Sequence, residues 1–209
     1  MAETVALIDY GAGNLRSVAN ALRVAGAERV EITADVNVVR AADRIVLPGV
    51  GAFKACAEAL NAVPGLVAAM EERVHVGGAP FLGICVGMQL LADRGVEFGI
   101  TPGLGWIAGE VHAIECTDPA IKIPHMGWND VSPMPHADGA SLIEPGEAYF
   151  LHSYHFVPDQ GAHIAAMTDH GGGLIAAVAR DNLLGVQFHP EKSQAYGLAM
   201  LTRFLEWRP

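Results

Sequence analysis

Cationic side chains are scarce: 13 Lys and Arg stand against 23 Asp and Glu in 209 residues, a formal net charge of −10. A surface of that sign lacks what a phosphate backbone or an anionic bilayer demands, so neither nucleic acid nor a membrane is expected as a partner. Cysteine is scarce too. Cys56, Cys85 and Cys116 are odd in number and far apart, which speaks against a disulfide framework and for a reducing, cytoplasmic setting. No apolar run approaches the ~18 residues needed to span a bilayer. Only Val5–Ile8 is apolar before Asp9, and no cationic stretch precedes it, so neither a secretory signal nor a mitochondrial presequence is expected. Internal repeats, low-complexity tracts and Pro/Ser-rich linkers are also missing. What is abundant is apolar: 51% of residues, against 17% charged, which excludes a disordered or fibrous chain. One well-cored domain over residues 1–209 is the expectation.

The first half alternates short apolar runs with helical patterns. Val5–Asp9 ends in Tyr10-Gly11-Ala12-Gly13, after which Leu15, Val18, Ala19, Leu22 and Ala25 form a stripe at helical spacing closed by Gly26. Arg44–Leu47 reads as a buried strand stopped by Pro48-Gly49-Val50-Gly51. Phe53–Met70 reads as one or two helices, with Pro64 able to begin the second. Pro80–Ile84 is a further strand, and a helix begins at Met88–Ala92. This alternation implies α/β architecture with parallel strands and crossover helices. In the second half, Gly109–Ile114, Asn129–Ser132, Ala148–Val157, Ile164–Met167, Leu174–Ala179 and Leu184–Phe188 are strand-like with little helix between them. An antiparallel or mixed extension of the same sheet is expected, closed by an amphipathic helix over Gln194–Trp207.

The sharpest chemical feature is Gly83-Ile84-Cys85-Val86-Gly87, between an apolar strand and a helix. A nucleophile on such a turn is lifted clear of the backbone, and flanking glycines relieve the crowding. The helix start would favour thiolate over thiol. His189-Pro190-Glu191 follows the last strand, 104 residues on. Proline biases His189 away from helical geometry, so the tripeptide should be extended, with His189 and Glu191 pointing to one side. The carboxylate would then fix the imidazole's tautomer while the other ring nitrogen faces the thiol. Oxyanion donors are sought at the Val86 amide and in Val50 and Gly51, where a strand end opens into a glycine pair whose amides can reorient.

Other patterns carry less. Gly49–Lys54 lacks the Gly-Lys-Ser/Thr ending of a phosphate loop, and Gly11-Ala12-Gly13 has Arg16 where a dinucleotide fold needs its third glycine. His152 and His155 fall on opposite faces of one strand, and no Cys-x₂-Cys or His-x₃-His spacing occurs, so no metal and no cofactor are expected. His75, His136 and His170 read as loop or surface residues. Cys56 and Cys116 suggest nothing beyond packing.

With these residues in view, the chain resembles the class I, triad-type glutamine amidotransferases, and within them the glutaminase subunits of imidazole glycerol phosphate synthase. The elbow around Cys85 and the run Gly185–Ser193 carry the wider resemblance. The segments Asp9–Leu15, Leu47–Phe53 and Pro124-His125-Met126-Gly127-Trp128-Asn129 narrow it, and Tyr149–Tyr154 also belongs to the resemblance. Val86 stands where the family usually has Leu. The resemblance implies that Cys85 attacks the side-chain amide of glutamine, with His189 moving the proton and Glu191 orienting His189. It implies that Gly51, Gln89, Glu97, Ser153 and Tyr154 hold the substrate. It also implies a heterodimer with a (β/α)₈-barrel cyclase subunit, to which ammonia passes for histidine biosynthesis, with Asn14, Trp128, Tyr149 and Lys192 at the interface. A pyridoxal-phosphate-synthesis glutaminase, a cysteine peptidase or DJ-1-like hydrolase, and a catalytically silent binding module are the competing readings.

Overall fold

The computed structural model describes residues 2–209 apart from residues 117 and 136–138. His136, assigned above to a loop, lies outside the described residues.

Strands whose side chains are apolar almost throughout are stable only with both faces covered, and these form the centre of the molecule. β1 (Thr4–Ile8), β3 (Arg44–Gly49) and β4 (Phe81–Cys85) are buried almost throughout and pair in parallel, β1 with β3 and β3 with β4. β2 (Arg29–Thr33) adds a parallel edge beside β1. It is half exposed, and its charged residues interrupt the apolar pattern, which is why the sequence reading passes over both it and the short helix α2 (Val36–Ala41) after it. α1 (Leu15–Val24) buries Val18, Ala19, Ala21 and Leu22. Pro64 does not begin a helix. α3 (Phe53–Ala62) ends before it, and α4 (Leu66–Glu71) starts after Gly65, whose φ of 76° a proline ring cannot adopt.

The elbow helix α5 is a single turn, Val86–Gln89. Two short strands follow, β5 (Arg94–Gly95) and β6 (Thr101–Pro102), and then β7 (Gly109–Ala113), β8 (His125–Pro133), β9 (Gly146–His152) and β10 (Tyr154–Pro158). β11 (Ile164–Asp169), β12 (Gly173–Arg180), β13 (Leu183–Val186) and α6 (Gln194–Glu206) complete the chain. The main sheet has nine strands in the order β2-β1-β3-β4-β13-β12-β11-β8-β9, parallel as far as β13 and antiparallel beyond it. α1 packs with α6, and α2 with α4.

The extension is not one sheet, however. β10, β7, β5 and β6 form a separate four-stranded sheet. The run Ala148–Val157, expected as one strand, is divided at Ser153: β9 pairs with β8 in the main sheet and β10 pairs with β7 in the second. Ser153 accepts the Ile114 amide through its carbonyl as the chain changes sheets. No glycine or proline marks the switch within residues 148–157, so the sequence pattern conceals it. Among the described residues, no helix is long and apolar enough to cross a membrane.

Candidate active site

Ligands gather at the carboxyl ends of parallel strands, and three neighbouring ends meet here. Gly49 of β3 lies opposite Cys85 of β4, and Ile84 of β4 lies opposite Val186 of β13. The residues just past these ends are therefore brought together: Val50 and Gly51, Cys85 and Val86, and Gln187 to His189.

Cys85 sits at φ 55°, ψ −112°, a conformation that costs a non-glycine residue about 1–3 kcal/mol and persists only where its surroundings enforce it. One enforcing contact is Gly87: a Cβ there would collide with the Leu47 carbonyl, so α5 can lie tight against β3 only with glycine at that position. The helix expected to begin here is a single four-residue turn.

His189 is 2% exposed, and its amide donates to the Tyr149 carbonyl at 2.9 Å. Its Nδ1 lies 2.9 Å from Glu191 Oε1, and its ring is within hydrogen-bonding reach of Cys85. The route to this geometry differs from the expected extended tripeptide. His189 is extended, but Pro190–Lys192 is a 3₁₀ turn in which the Lys192 amide donates to the His189 carbonyl. Proline's fixed φ suits the first position of a helical turn as well as a strand, and the turn folds Glu191 back under the ring. Ser193 secures it by donating through Oγ to the His189 carbonyl and accepting the Tyr149 amide. Burial by itself would lower the His189 pKa, but hydrogen bonds with Cys85 and Glu191 outweigh it and raise the value to about 9. The Glu191 side chain is 1% exposed, and its Oε2 has no hydrogen-bond partner among the described residues, so its charge is directed at the imidazole.

Beside the sulfur lies a cavity of about 140 Å³, the scale of an amino acid rather than a nucleotide. Val50, Gly51, Cys85, Val86 and His189 line its reacting end. Gln89, Glu97, Ser153 and Tyr154 line the remainder, together with Leu151, His152 and Lys192. Every residue expected to hold a substrate is thus at this cavity, along with every oxyanion candidate. Glu97 also accepts the Phe53 amide at 2.7 Å and so caps α3 from a distant loop. Gln89 donates to the Tyr154 carbonyl and to Gln187 Oε1, both at 3.0 Å.

Two features escape the sequence reading. Gln187 is fully buried and points its Nε2 at the Cys85 sulfur, 3.7 Å away. Its position two residues before His189, on an extended stretch, was the available signal. The second feature is a chain of histidines. His152 Nδ1 lies 2.9 Å from the Tyr154 carbonyl, which can only accept, so that nitrogen carries the proton and Nε2 accepts. His125 Nδ1 must then donate to His152 Nε2 at 3.0 Å, and His125 Nε2 accepts from Asn129 Nδ2 at 3.0 Å. Burial lowers the pKa of His125 to about 4 and of His152 to about 3, in keeping with neutral rings. His170 is no bystander, because it stacks on His125 at 4.1 Å. His152 and His155 do not share a strand; the switch at Ser153 separates them.

Of the four residues assigned to an interface, three meet beside the cavity, which Lys192 also lines. Trp128 packs edge-on against Tyr149 at 6.1 Å, and Lys192 Nζ lies 5.8 Å from the Tyr149 ring centroid. Asn14 is exposed at the head of α1, which packs on the Pro190–Lys192 turn. A wider groove of about 400 Å³ lies between Arg16, Ser17 and Asn20 of α1 and the Pro190–Gln194 segment, and neither cysteine nor histidine is among its lining residues.

Comparison with known proteins agrees with this geometry. Residues 6–207 match the model of the glutamine amidotransferase class-I family. The chain belongs to that family. It is 59% identical, over 99% of its length and 97% of the relative's, to the imidazole glycerol phosphate synthase subunit HisH of Zymomonas mobilis. It is 54% identical to the HisH subunit of Caulobacter vibrioides, over 99% of this chain and all of that one. A crystal structure of a glutamine amidotransferase shares the fold with a TM-score of 0.74, 19% identity and 97% coverage of both chains.

Proposed function

We propose that this chain is the glutaminase subunit of an imidazole glycerol phosphate synthase, hydrolysing L-glutamine to L-glutamate and ammonia in the cytoplasm. The observation that carries the reading is one arrangement. Cys85 stands on a strained elbow within reach of His189, itself 2.9 Å from a buried Glu191, at the end of an amino-acid-sized cavity.

In this reading glutamine enters with its side-chain amide toward Cys85. Glu97 has one carboxylate oxygen beyond its bond to Phe53 and can receive the substrate's ammonium group. Gln89, Ser153 and Tyr154 supply the surrounding polar wall. The proton shared by Cys85 and His189 rests on the imidazole as sulfur bonds to the amide carbon, and the carbonyl oxygen becomes an oxyanion facing the amides of Val86 and of Val50 or Gly51. Collapse of the tetrahedral intermediate breaks the C–N bond; His189 returns its proton to the nitrogen, and ammonia leaves a glutamyl thioester. Water then attacks the thioester carbon, passing a proton to His189, and the sulfur leaves with glutamate as product, which restores the starting Cys85–His189 pair. Glu191 holds the ring in one orientation throughout and balances its positive charge. No step calls for a cofactor.

Ammonia released into bulk water would be protonated and lose its nucleophilicity, so a receiving site must lie against this one. We assign it to a separate (β/α)₈-barrel cyclase subunit, in keeping with the name of the relatives. There ammonia would enter the phosphoribulosyl-formimino-carboxamide nucleotide to give imidazole glycerol phosphate and aminoimidazole carboxamide ribotide. The docking surface follows from strand geometry. Met126 lies opposite Leu151 and Trp128 opposite Tyr149 in the β8–β9 pair, so all four share one face, while His125 and Phe150 share the buried one. Met126 is 65% exposed and Trp128 46%, an apolar patch continuous with Leu151 and Lys192 at the cavity. Mixing the protein with glutamine and the purified cyclase subunit tests the assignment: glutamate should appear with the wild type. A formed complex that releases none would leave only a binding role.

A further inference from the structure

The wall of the cavity formed by Pro48–Gly51 is held from behind by two side chains that the chemistry above does not use. Tyr10, buried just past the end of β1, donates its hydroxyl hydrogen to the Pro48 carbonyl at 2.7 Å. Cys56, 1% exposed in the first turn of α3, directs its thiol at the Val50 carbonyl, 3.3 Å away. A carbonyl that is held fixes the plane of its own peptide unit. The Pro48–Gly49 and Val50–Gly51 units are therefore each anchored by a side chain, and the unit between them, which carries the Val50 N–H, is bracketed.

Gly49 adds to the constraint. A Cβ there would stand 2.9 Å from the Tyr10 hydroxyl and 2.8 Å from the Gly87 amide nitrogen. The position is glycine because the tyrosine hydroxyl and the elbow fill the space. The expected flexible glycine pair is thus asymmetric: Gly51, at φ 96° with open space around it, is the loose member, and Gly49 is wedged. Tyr10 and Cys56 also lie within hydrogen-bonding reach of each other, and burial pushes both acidities down, so both keep their hydrogens and act as donors at neutral pH.

We propose that Tyr10 and Cys56 are positioning residues that clamp the peptides on either side of Gly49–Val50 and so fix the orientation of the Val50 amide as an oxyanion donor. The proposal rests on the glutaminase reading and adds to it two residues that touch neither substrate nor sulfur. Losing an oxyanion donor outright lowers kcat by about 10²–10³-fold in well-studied hydrolases, so a donor left in place but unclamped should cost less.

The test compares wild type, Y10F, C56A and C56S in complex with the cyclase subunit, measuring kcat and KM for glutamine. Alkylation of Cys85 by iodoacetamide, followed on the Cys85 peptide, gives a second readout. Y10F and C56A should lower kcat about tenfold with KM within about twofold of wild type. C56S, which retains a hydrogen to donate, should recover most of the loss. Cys85 alkylation, which needs no oxyanion donor, should proceed at the wild-type rate in all three. Unchanged or raised kcat in Y10F and C56A, with active wild type, overturns the clamp, as does a fall matched by slower alkylation. A wild-type complex that makes no glutamate overturns the glutaminase reading itself.

Discussion

His189 holds its proton through neutral pH because Cys85 and Glu191 both favour the charged ring over the cost of burying it, which places its pKa at about 9. In the proposed mechanism the ring delivers that proton to departing ammonia, so kcat should decline as pH rises through about 9. Glu191→Gln keeps the size of the side chain but removes the charge, and its amide can donate to the wrong ring nitrogen. We expect kcat to fall about 10²–10⁴-fold with KM little changed, and the alkaline limb of the pH–rate profile to move to lower pH. A profile whose alkaline limb stays in place would show that Glu191 does not sustain the charge on His189. These residues are legible in the sequence because each signal is local: glycines around Cys85, and proline between His189 and Glu191. Gln187, Tyr10 and Cys56 are not. Their partners lie 102, 38 and 6 residues away, and only the folded backbone brings Gln187 to the sulfur or a thiol to the Val50 carbonyl.

Among the elements, the buried runs β1, β3 and β4 and the stripe of α1 could be read directly, since continuous apolar sequence has no use except between covering layers. The division of β9 from β10 at Ser153 could not, and it matters, because the switch is what sets Ser153 and Tyr154 into the cavity. The β8–β9 pair carries a consequence of its own. His125 and His152, 27 residues apart, meet through register alone and stay neutral, with pKa values of about 4 and about 3 in the folded state. Both lie below the ~6.5 of an exposed histidine, so under that pH the unfolded chain binds more protons than the folded one. Stability is therefore undiminished by these rings above pH 6.5 and drains as pH falls toward 4. His125→Asn removes one such ring. Its unfolding free energy, measured by urea denaturation from pH 7 to pH 4.5, should fall less steeply than wild type by up to about 1.4 kcal/mol per pH unit. Equal slopes would mean that His125 is protonated in the fold.

For the molecule as a whole, the catalytic cavity and the exposed face of the β8–β9 pair adjoin, sharing Leu151 and flanked by Lys192. A partner seated on Met126, Trp128 and Tyr149 would stand at the mouth through which ammonia must leave. Half-exposed tryptophans at such a place are typical centres of binding energy, and Trp128→Ala should weaken association with the cyclase subunit by about 30-fold, a loss near 2 kcal/mol. Titration calorimetry with the purified cyclase reads this directly, and an unchanged Kd would move the docking surface elsewhere. The central claim is that the Cys85 sulfur forms the bond to the substrate carbon. It is tested by mass spectrometry of the protein quenched in acid during turnover of glutamine with the cyclase bound. The account predicts a glutamyl adduct on the Cys85 peptide and no glutamate release from Cys85→Ala. Undiminished glutamate release by Cys85→Ala would contradict it.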